Sequence, residues 1–435
     1  MHYLDNLIAF VMSLNGVKIL RFFWFFFFFE FFRFFVVDFS TIFLWRISAP
    51  FRKRRMDVAR NSFWKESPLI SIIVPGRNEG DNIYRLANSL KEQTYQHFEL
   101  IVIDDGSDDN TQLICKSLVK SGLITNYLRN QVRGGKASAA NLGLRYSKGK
   151  FVIHLDADCS YDRDAIENII VPFYYDAKIG AVGGNIQVHN YKDSLCATLQ
   201  AIEYYDNISI GRISTSQLGI YRQISGAFGA FRRSSLDSVG GWDIGPGLDG
   251  DITVKVRKLK QKIHFEPSAL CQTNVPVTFK GLIRQRSRWD KSLIRFRLRK
   301  HKDVFFPNQS FNWGNFISFA ENVTYNLILN LKWYIYLFDV LFNFSKQIKY
   351  ILPLNILIYT IYNYFKYIIF SLFRERKNET IVYFLLYLPL MVFYFGYFLR
   401  IVRTVAYFQE FFFRASYKDN WNPRKSSEQA EALNI

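Results

Sequence analysis

Cysteine is scarce in this sequence: four occur among 435 residues, and they share no close spacing. That distribution excludes a disulfide-stapled secreted scaffold and a cysteine-based zinc site, and it suits reduced thiols in a cytosolic domain. The sequence also lacks a P-loop and a visible inverted repeat. Both absences disfavour a transporter or receptor built around a nucleotide-binding domain.

Aromatic residues, in contrast, are abundant: they make up 18% of the chain, with 43 Phe, and they concentrate towards both ends. Residues 20–45 are apolar over a length that can cross a bilayer as a helix. Because no small-residue cleavage site follows them, we interpret them as an uncleaved anchor. Glu30, Arg33 and Asp38 are costly in lipid, so Glu30 and Arg33 either pair on one helix face or face other helices. Further membrane segments are predicted at 328–344, 350–373 and 380–399.

The net charge of +19 has two interpretations, nucleic-acid binding and membrane attachment. Basic residues cluster at 46–55 and 284–302, beside the predicted membrane segments, and such charge marks the cytoplasmic side of a bilayer and attracts anionic headgroups. We therefore predict the lipid bilayer as a partner, no nucleic acid, and a cytosolic position for 46–302. The tail is basic too, so either a further span hides in 313–329 or one predicted span lies in the interface. The number of spans stays open.

Composition divides the chain into five parts with different solvent preferences. The central part has ordinary globular composition, and the others are rich in aromatic or basic residues. The parts are an N-terminal membrane anchor and basic linker at 1–65, a globular domain at 66–300, an interfacial amphipathic region at 301–327, C-terminal transmembrane helices at 328–400, and an amphipathic basic tail at 401–435.

The central domain alternates short apolar runs with longer helical patterns, which indicates a parallel sheet with crossover helices. Strands are predicted at 69–74, 99–103 and 151–155, and helices at 81–93, 110–121 and 136–147. Ligands of such sheets bind beyond the carboxyl ends of the strands.

Polar residues fall where these predicted strands end. Carboxylates brought together at one edge favour a hard divalent cation such as Mg²⁺, which holds substrate phosphates through one or two of them. Asp108 and Asp109 are better explained as turn or cap residues. The strand-end residues are Pro75, Glu79, Asp104, Asp105, Asp156 and Asp158.

Seven motifs occur in a fixed order: VPGRNEG, VIDDGSDDNT, GGKASAANLG, HLDADC, GGNIQVHN, SGAFGAFRRS and QRSRW. Residues 69–290, which carry them, resemble the family 2 glycosyltransferases, which are inverting enzymes of the GT-A fold. They are most similar to the membrane-integrated branch of cellulose, chitin, hyaluronan and poly-N-acetylglucosamine synthases, whose QxxRW motif QRSRW matches. The resemblance implies an α/β GT-A domain with a Rossmann-like, mostly parallel sheet, joined to an α-helical transmembrane bundle with interfacial amphipathic helices.

The resemblance also implies a donor site for a UDP-sugar. Asp158 would bind Mg²⁺ or Mn²⁺, and Asp156 would share that ion or hold the ribose. Lys136 would reach towards the nucleotide, unless it is a solvated charge at a helix start, and Arg288 would clamp the pyrophosphate. Arg77 replaces the aromatic residue that many relatives stack on uracil, although a guanidinium can stack as well. The implied nucleotide-sugar ligands are Pro75, Glu79, Asp104, Asp105, Lys136, Asp156 and Arg288.

An inverting transfer needs a general base opposite the leaving group. Members of the family supply it from a Thr-Glu-Asp motif at a helix start, where this chain reads Asp249-Gly250-Asp251. We place the base at Asp251, with Asp249 as the alternative. A third interpretation is that Asp251 only caps a helix beginning near residue 252.

The acceptor side is implied by two motifs. Small residues would let a sugar approach the backbone closely, and a Trp would offer a flat face to a sugar ring. The alternative for QRSRW is a basic interfacial helix with a Trp anchor, which suits Arg286 and Arg295. The tail segment 414–423 is either a gating segment or a surface linker. The implied acceptor ligands are Ser225, Gly226, Gln285 and Trp289.

We therefore expect a multi-pass enzyme of the plasma (inner) membrane that elongates a β-linked polysaccharide at the cytosolic face. Its product would pass into a channel between the aromatic helices, and secretion partner proteins or a homo-oligomer fit the same scheme. The alternative is a non-processive transferase that adds a single sugar to a lipid carrier. The sugar and the linkage stay open.

Overall fold

The computed structural model describes residues 2–245, 247–372, 380–419 and 422–433. The chain divides into two compact units, one of Met1–Ile47 with Ala320–Thr404 and the other of Ser48–Phe319 with Val405–Ile435.

The second unit is built on one eight-stranded sheet. Its strands are β1 (Ile70–Gly76), β2 (Phe98–Asp104), β3 (Asn126–Arg129), β4 (Phe151–Leu155), β5 (Cys159–Tyr161), β6 (Ile179–Val188), β7 (Phe228–Arg232) and β8 (Lys262–Thr273). In space they follow the order β3-β2-β1-β4-β7-β6-β8-β5. The half made of β3, β2, β1 and β4 is parallel, and the three strands predicted within it form within two residues of their predicted bounds.

Six of the eight strands run in one direction, as the predicted mostly parallel sheet requires, and the two exceptions, β7 and β5, lie in the other half of the sheet. β7 runs antiparallel to both β4 and β6, and β5 runs antiparallel to β8, so the sheet is mixed. The reason for β7 lies in its register, because Phe228 at its start pairs with Leu155 at the end of β4. Residues 225–227 therefore enter the sheet at the carboxyl edge of the parallel strands, and β7 has to run back from there.

The N-terminal residues of the first unit are helical. Their helices are α1 (His2–Met12), α2 (Gly16–Phe25) and α3 (Ser40–Ile47), with π-helical turns at Phe26–Phe31 and Arg33–Phe39.

Most helices of the second unit connect its strands. They are α4 (Ala49–Glu66), α5 (Gly80–Leu90), α6 (Thr111–Lys120), α7 (Lys136–Tyr146), α8 (Ala165–Ile170), α9 (Pro172–Tyr175), α10 (Leu195–Tyr204), α11 (Gly211–Gln217), α12 (Arg233–Val239), α13 (Leu248–Lys258) and α14 (Phe279–Ser292). A π-helical turn at Leu293–Lys300 continues α14 directly.

The remaining helices follow α14 in the sequence. They are α15 (Trp313–Val323), α16 (Leu329–Asn343), α17 (Ile348–Leu372), α18 (Thr380–Leu385), α19 (Leu388–Phe393), α20 (Leu399–Phe413) and α21 (Arg424–Ala432).

Close packing against the sheet fixes α7, the helix that begins at Lys136. A Cβ on Gly143 would lie 2.6 Å from side-chain carbons of Ile73 and Ile103, so the helix contacts β1 and β2 through a residue without a side chain. Since cores are packed to near-crystal density, this contact holds the start of α7 at the carboxyl edge of the sheet.

In the first unit, the charged residues of the Phe-rich segment pair with other helices. Glu30 accepts from Arg400 at 3.0 Å, and Arg33 pairs with Glu321 of α15 as well as with Asp38. Of the two arrangements expected from the sequence, the one in which these charges face other helices is the one observed.

Within the described residues, one helical stretch, Leu388–Phe413, is long and apolar enough by length and composition to cross a membrane. The predicted bundle of several spans therefore remains a prediction, and residue 373 of the predicted segment 350–373 lies outside the described residues.

Candidate active site

β1, β2 and β4 are parallel neighbours, so the polar residues at their ends gather at one edge of the sheet. Pro75 is itself buried inside β1, paired with Ile103. Asp104 ends β2 and is fully buried, and its carboxylate accepts from the Ser107 N–H and the Tyr127 hydroxyl, both at 2.7 Å. Pro75 and Asp104 are therefore buried parts of this sheet edge.

Asp105 organises the glycine turn that precedes α7. Its carboxylate accepts from the side-chain amide of Asn130 and from the backbone N–H groups of Gly134 and Gly135, each at 2.8 Å. Gly135 has a φ of 89°, which favours glycine. The turn and the start of α7 are therefore set by one carboxylate at the strand end.

Lys136, the first residue of α7, reaches the carboxylate that follows β4. Its Nζ lies 2.5 Å from Oδ1 of Asp156. Burial lowers the pKa of Lys136, but Asp156, Asp249 and Asp158 together raise it above its ordinary value. Lys136 is therefore a charged member of a carboxylate cluster, and the interpretation as a solvated helix-start charge is wrong.

The carboxyl groups of Asp158 and Glu79 lie near other carboxyl groups. Desolvation, and then the charge of Asp156, raise the pKa of Asp158. The pKa of Glu79 is raised by burial, against a hydrogen bond from Asn82, with further contributions from Asp158 and Asp156. A raised carboxyl pKa beside like charges is typical of functional sites, and hard oxygen donors of this kind suit Mg²⁺ or Mn²⁺. Among the described residues, however, no three His, Cys, Asp or Glu side chains are already grouped as a ready metal-binding set.

Asp249 belongs to the same cluster. It lies in the first turn of α13, where burial and the charge of Asp156 raise its pKa and Lys136 lowers it. It contacts Gly226 so closely that a Cβ there would lie 2.5 Å from Oδ1 of Asp249. The Gly226 carbonyl accepts from Nδ1 of His154 at 2.6 Å, and burial lowers the pKa of His154 to about 4. A neutral histidine on β4 thus fixes the backbone against which Asp249 packs.

Asp251 contacts a different set of residues, although it is only two residues from Asp249 in the sequence. Its Oδ1 accepts from Nε2 of His301 at 2.6 Å and pairs with Nζ of Lys300 at 2.7 Å. Against the effect of burial, these partners hold the pKa of Asp251 well below its usual range. α13 begins at Leu248, so the interpretation of Asp251 as a helix cap is wrong.

Substitution of Asp251 by Asn should lower the free energy of unfolding by about 3 kcal/mol, because it breaks a buried ion pair and leaves Lys300 with Asp243 as its remaining partner. Since the pKa of Asp251 is depressed, its contribution is present above the ordinary Asp pKa of about 3.9 and is lost as the pH falls below that value. Denaturant unfolding of the purified chain measures the effect.

Asp303→Asn is the matched control, because Asp303 pairs with Lys258 at 2.6 Å while its side chain is 41% exposed. An exposed pair should contribute less than about 1 kcal/mol. Equal losses in the two variants would contradict a structural role for Asp251.

The QRSRW motif lies on α14, and its basic residues are not those of a solvated surface helix. Arg286 pairs with buried Glu203 at 2.8 Å and stacks over the Trp289 ring at 4.6 Å. Seven residues after Arg288, Arg295 is only 3% exposed. The alternative of a basic interfacial helix is therefore wrong for the two residues it suits best, Arg286 and Arg295.

The remaining predicted ligands are half-exposed around this helix. Trp289 is 41% exposed and offers a ring face. Burial lowers the pKa of Arg288, and the charge of Asp419 in the tail opposes that effect. Ser225 accepts through Oγ from the Ala227 N–H at 3.4 Å, which holds the turn ahead of β7. Gln285 is partly buried on α14.

The tail packs on the glycine turn of α7. Ser426 Oγ donates to the Gly134 carbonyl at 2.8 Å, and a Cβ on Gly135 would lie 3.2 Å from Pro423 Cδ. Of the two expectations for segment 414–423, a loose surface linker is therefore wrong, although residues 420 and 421 lie outside the described residues.

The structure thus brings together Glu79, Lys136, Asp156, Asp158, Asp249 and Gly226, and it separates Asp251 from them. Sequence reasoning missed His154, although it stands inside the quoted motif HLDADC. The available signal was a histidine near the end of a buried strand, two residues before the first of two neighbouring acidic residues.

Comparison with known proteins points to sugar-transferring enzymes. Residues 71–240 match the family model described as glycosyl transferase family 2. The poly-β-1,6-N-acetyl-D-glucosamine synthase of Staphylococcus epidermidis is 36% identical over 222 residues, which are 51% of this chain and 53% of that protein. The synthase of the same name from Staphylococcus aureus is 36% identical over 223 residues, which are again 51% and 53%. The chain spans about half the length of the curated relatives it matches.

A solved structure shares the fold. The mannosyltransferase of Pyrobaculum calidifontis, solved with GDP-Man and Mn²⁺, superposes with a TM-score of 0.55 at 17% identity, over 85% of this chain and 98% of that one. Identity this low shows the fold alone. Residues 71–240 thus match the family 2 glycosyl transferase model and lie on a GT-A-like mixed sheet.

Proposed function

We propose that the chain transfers a sugar, with inversion, from a UDP-sugar to the growing end of a β-linked polysaccharide. The observation that carries the proposal is the position of Asp249, which shares a cluster with Lys136 and Asp156 at the carboxyl edge of the sheet. A base, a cation and strand-end carboxylates at one edge are the groups that such a transfer needs.

Asp249, the residue that takes second place in the sequence prediction, is the general base of this proposal. Its carboxylate accepts the proton of an acceptor hydroxyl, and that oxygen then attacks the anomeric carbon of the donor. The bond from that carbon to the diphosphate breaks on the opposite face, and the nucleoside diphosphate leaves with the bonding electrons. Because its pKa is raised, Asp249 is a stronger base than an ordinary aspartate. Asp251, engaged by Lys300 and His301, takes no part.

Asp158 and Asp156 would hold the divalent ion, since their oxygens are hard donors and Asp158 lies beside a like charge. Mg²⁺ or Mn²⁺, when bound, would neutralise charge on the leaving diphosphate as a Lewis acid. Lys136 adds a fixed positive charge at Asp156, and Arg288 offers two parallel N–H donors to a phosphate.

The nucleoside would lie between the ends of β1 and β2. Arg77 donates through Nε to the Gly106 carbonyl at 3.3 Å and pairs with Asp108 at 3.1 Å, which holds its guanidinium in one orientation. A guanidinium held in this way can stack on a base as an aromatic ring does. Glu79 and the Asp105 turn would hold the ribose and uracil.

The acceptor sugar would stack on Trp289, with Gln285 and the turn at Ser225 and Gly226 beside it. We propose N-acetylglucosamine as the first sugar to test, because the curated relatives at 36% identity bear the name of poly-N-acetylglucosamine synthases. The aromatic termini and the helix Leu388–Phe413 support attachment of the enzyme to the membrane, with the product translocated across it.

Purified chain incubated with UDP-N-acetylglucosamine and Mg²⁺ should yield long polymer, resolved by gel and degraded by a glycosidase specific for the linkage. Other UDP-sugars form the comparison panel. A product one sugar longer than a lipid-linked acceptor would support the non-processive alternative instead. Absence of transfer from every nucleotide sugar would contradict the proposed function itself.

A further inference from the structure

The first turn of α13 has an open N-terminus. Gly247 precedes the helix with a φ of 96°, and within the described residues no side chain caps its first N–H groups. The two acids of this turn point elsewhere, Asp249 to Gly226 and Asp251 to Lys300 and His301. The start of an eleven-residue helix therefore presents free N–H donors and the positive end of its dipole, an arrangement that binds anions.

Arg295 is buried against this turn. It is 3% exposed, and its Nε and Nη1 find no hydrogen-bond partner in the part of the chain that the structure describes. Nη2 lies 3.3 Å from the position that a Cβ on Gly247 would take, and Nη1 lies 3.8 Å from that of Gly245. The guanidinium is thus aimed at the two glycines ahead of α13.

The acids nearest to Arg295 already have other partners. Asp251 is engaged by Lys300 and His301, as described above. Glu410, which is fully buried, pairs with Arg299 at 2.8 Å and accepts from the Ser416 N–H at 2.7 Å. Asp251 and Glu410 offset only part of the desolvation of the guanidinium, so the pKa of Arg295 stays below its ordinary value. A buried cation that is compensated only in part is unfavourable.

We propose that Arg295 and the N-terminal turn of α13 form a binding site for a phosphate group. Guanidinium N–H donors bind phosphate in pairs, and the two glycines let the guanidinium lie close to the backbone of the turn. The Tyr417 ring, 5.5 Å from the guanidinium carbon, covers one side of the site. On another side, a Cβ on Gly245 would lie 2.8 Å from the Cβ of Ala430, so α21 closes the turn from the tail.

The phosphate has two possible sources, the diphosphate of the donor nucleotide or a separate phosphorylated or inorganic ligand. The site goes beyond the proposed sugar transfer and does not depend on it, because Arg295 and α13 define it in the free protein.

Pyrophosphate titrated into the purified full chain in EDTA tests the site without any divalent ion. Calorimetry should show binding to the wild type and binding about tenfold weaker or more to Arg295→Gln, since a charged bidentate contact is lost. Pyrophosphate should also raise the melting temperature of the wild type but not of the variant. In anion-free buffer, Arg295→Gln should melt at or above the wild-type temperature, because it removes a buried charge that its neighbours compensate only in part.

Arg284→Gln is the matched control, because Arg284 is an exposed arginine on α14, the helix that continues into the π-helical turn with Arg295. This variant should bind pyrophosphate like the wild type. A wild type that ignores pyrophosphate, or an Arg295→Gln variant that binds it unchanged, overturns the site. So does an Arg295→Gln variant that is strongly destabilised without anion, since that result assigns Arg295 a structural role.

Competition by a nucleoside diphosphate with Mg²⁺ separates the two sources. Displacement of pyrophosphate identifies the donor's own diphosphate as the occupant, and simultaneous binding identifies a second ligand; both results agree with the site. Binding of pyrophosphate in EDTA requires neither a donor sugar nor a divalent ion, so the site stands even if sugar transfer fails.

Discussion

Asp249→Asn should reduce kcat for sugar transfer by about 10²- to 10⁴-fold, the range over which general bases contribute. The amide has nearly the same shape but cannot accept the proton of the acceptor hydroxyl. Affinity for the nucleotide sugar should change little, because the assigned donor contacts belong to other residues. Transfer by the wild type should fall as the pH drops through the pKa of Asp249, which burial and Asp156 place above the ordinary Asp value. Initial rates at saturating donor, measured against pH, test both statements.

Asp251→Asn is the informative comparison for this prediction. It removes a carboxylate from the same helix, two residues away, and should cost stability while leaving most of kcat in the folded fraction. Asp249→Asn should show the reverse, with full stability, since replacing a carboxylate whose pKa is raised removes an unfavourable charge. A catalytic loss confined to Asp251→Asn would reverse the assignment of the base.

Asp158→Asn should be nearly as damaging, with transfer reduced by about 10²-fold or more at ordinary Mg²⁺ concentration. Loss of one carboxylate weakens a divalent ion's hold on the site, and with it the stabilisation of the leaving diphosphate. Because the defect lies in metal affinity, raising Mg²⁺ or Mn²⁺ should restore part of the rate. Removal of divalent ions by EDTA should abolish transfer by the wild type.

Asp237→Asn provides the control for a lost surface carboxylate. Asp237 is 54% exposed and pairs with Arg233 one helical turn away. Its substitution should leave both the rate and the metal dependence unchanged. If Asp158→Asn kept the wild-type rate at every metal concentration, the two-carboxylate site proposed for the ion would be refuted.

Three of the four strands in the parallel half of the sheet, β1, β2 and β4, could be predicted from local pattern. These strands are short apolar runs, and the residues that end them are polar, so period and turn chemistry point to the same answer. β6, β7 and β8 gave no such signal, because a mixed sheet depends on long-range pairing. The antiparallel course of β7 follows from the pairing of Phe228 with Leu155, which no local pattern encodes.

The same limit explains the choice between the two candidate bases. Asp249 and Asp251 are separated by two residues, or about 200° around a helix, so only one of them can face a given neighbour. Asp249 faces Gly226 and Asp251 faces His301, and both of these partners are distant from α13 in the sequence. The motif favoured Asp251 over Asp249, but a local pattern cannot decide which of the two faces the strand ends.

The environment of the basic residues at 284–302 was harder still to predict from the sequence. Charges beside apolar segments usually meet headgroups, but here Arg295 and Arg297 are each 3% exposed. Burial of a charge cannot be predicted from composition, because it depends on which elements pack over the side chain. For Arg295 these elements are the turn before α13 and the tail.

The most direct test of the account is anomalous scattering from Mn²⁺ in crystals of the chain grown with a UDP-sugar. The account predicts a peak at Asp158, with the donor diphosphate beside it and the anomeric carbon facing Asp249. A manganese peak remote from Asp158, or a donor whose sugar points towards Asp251, would contradict it.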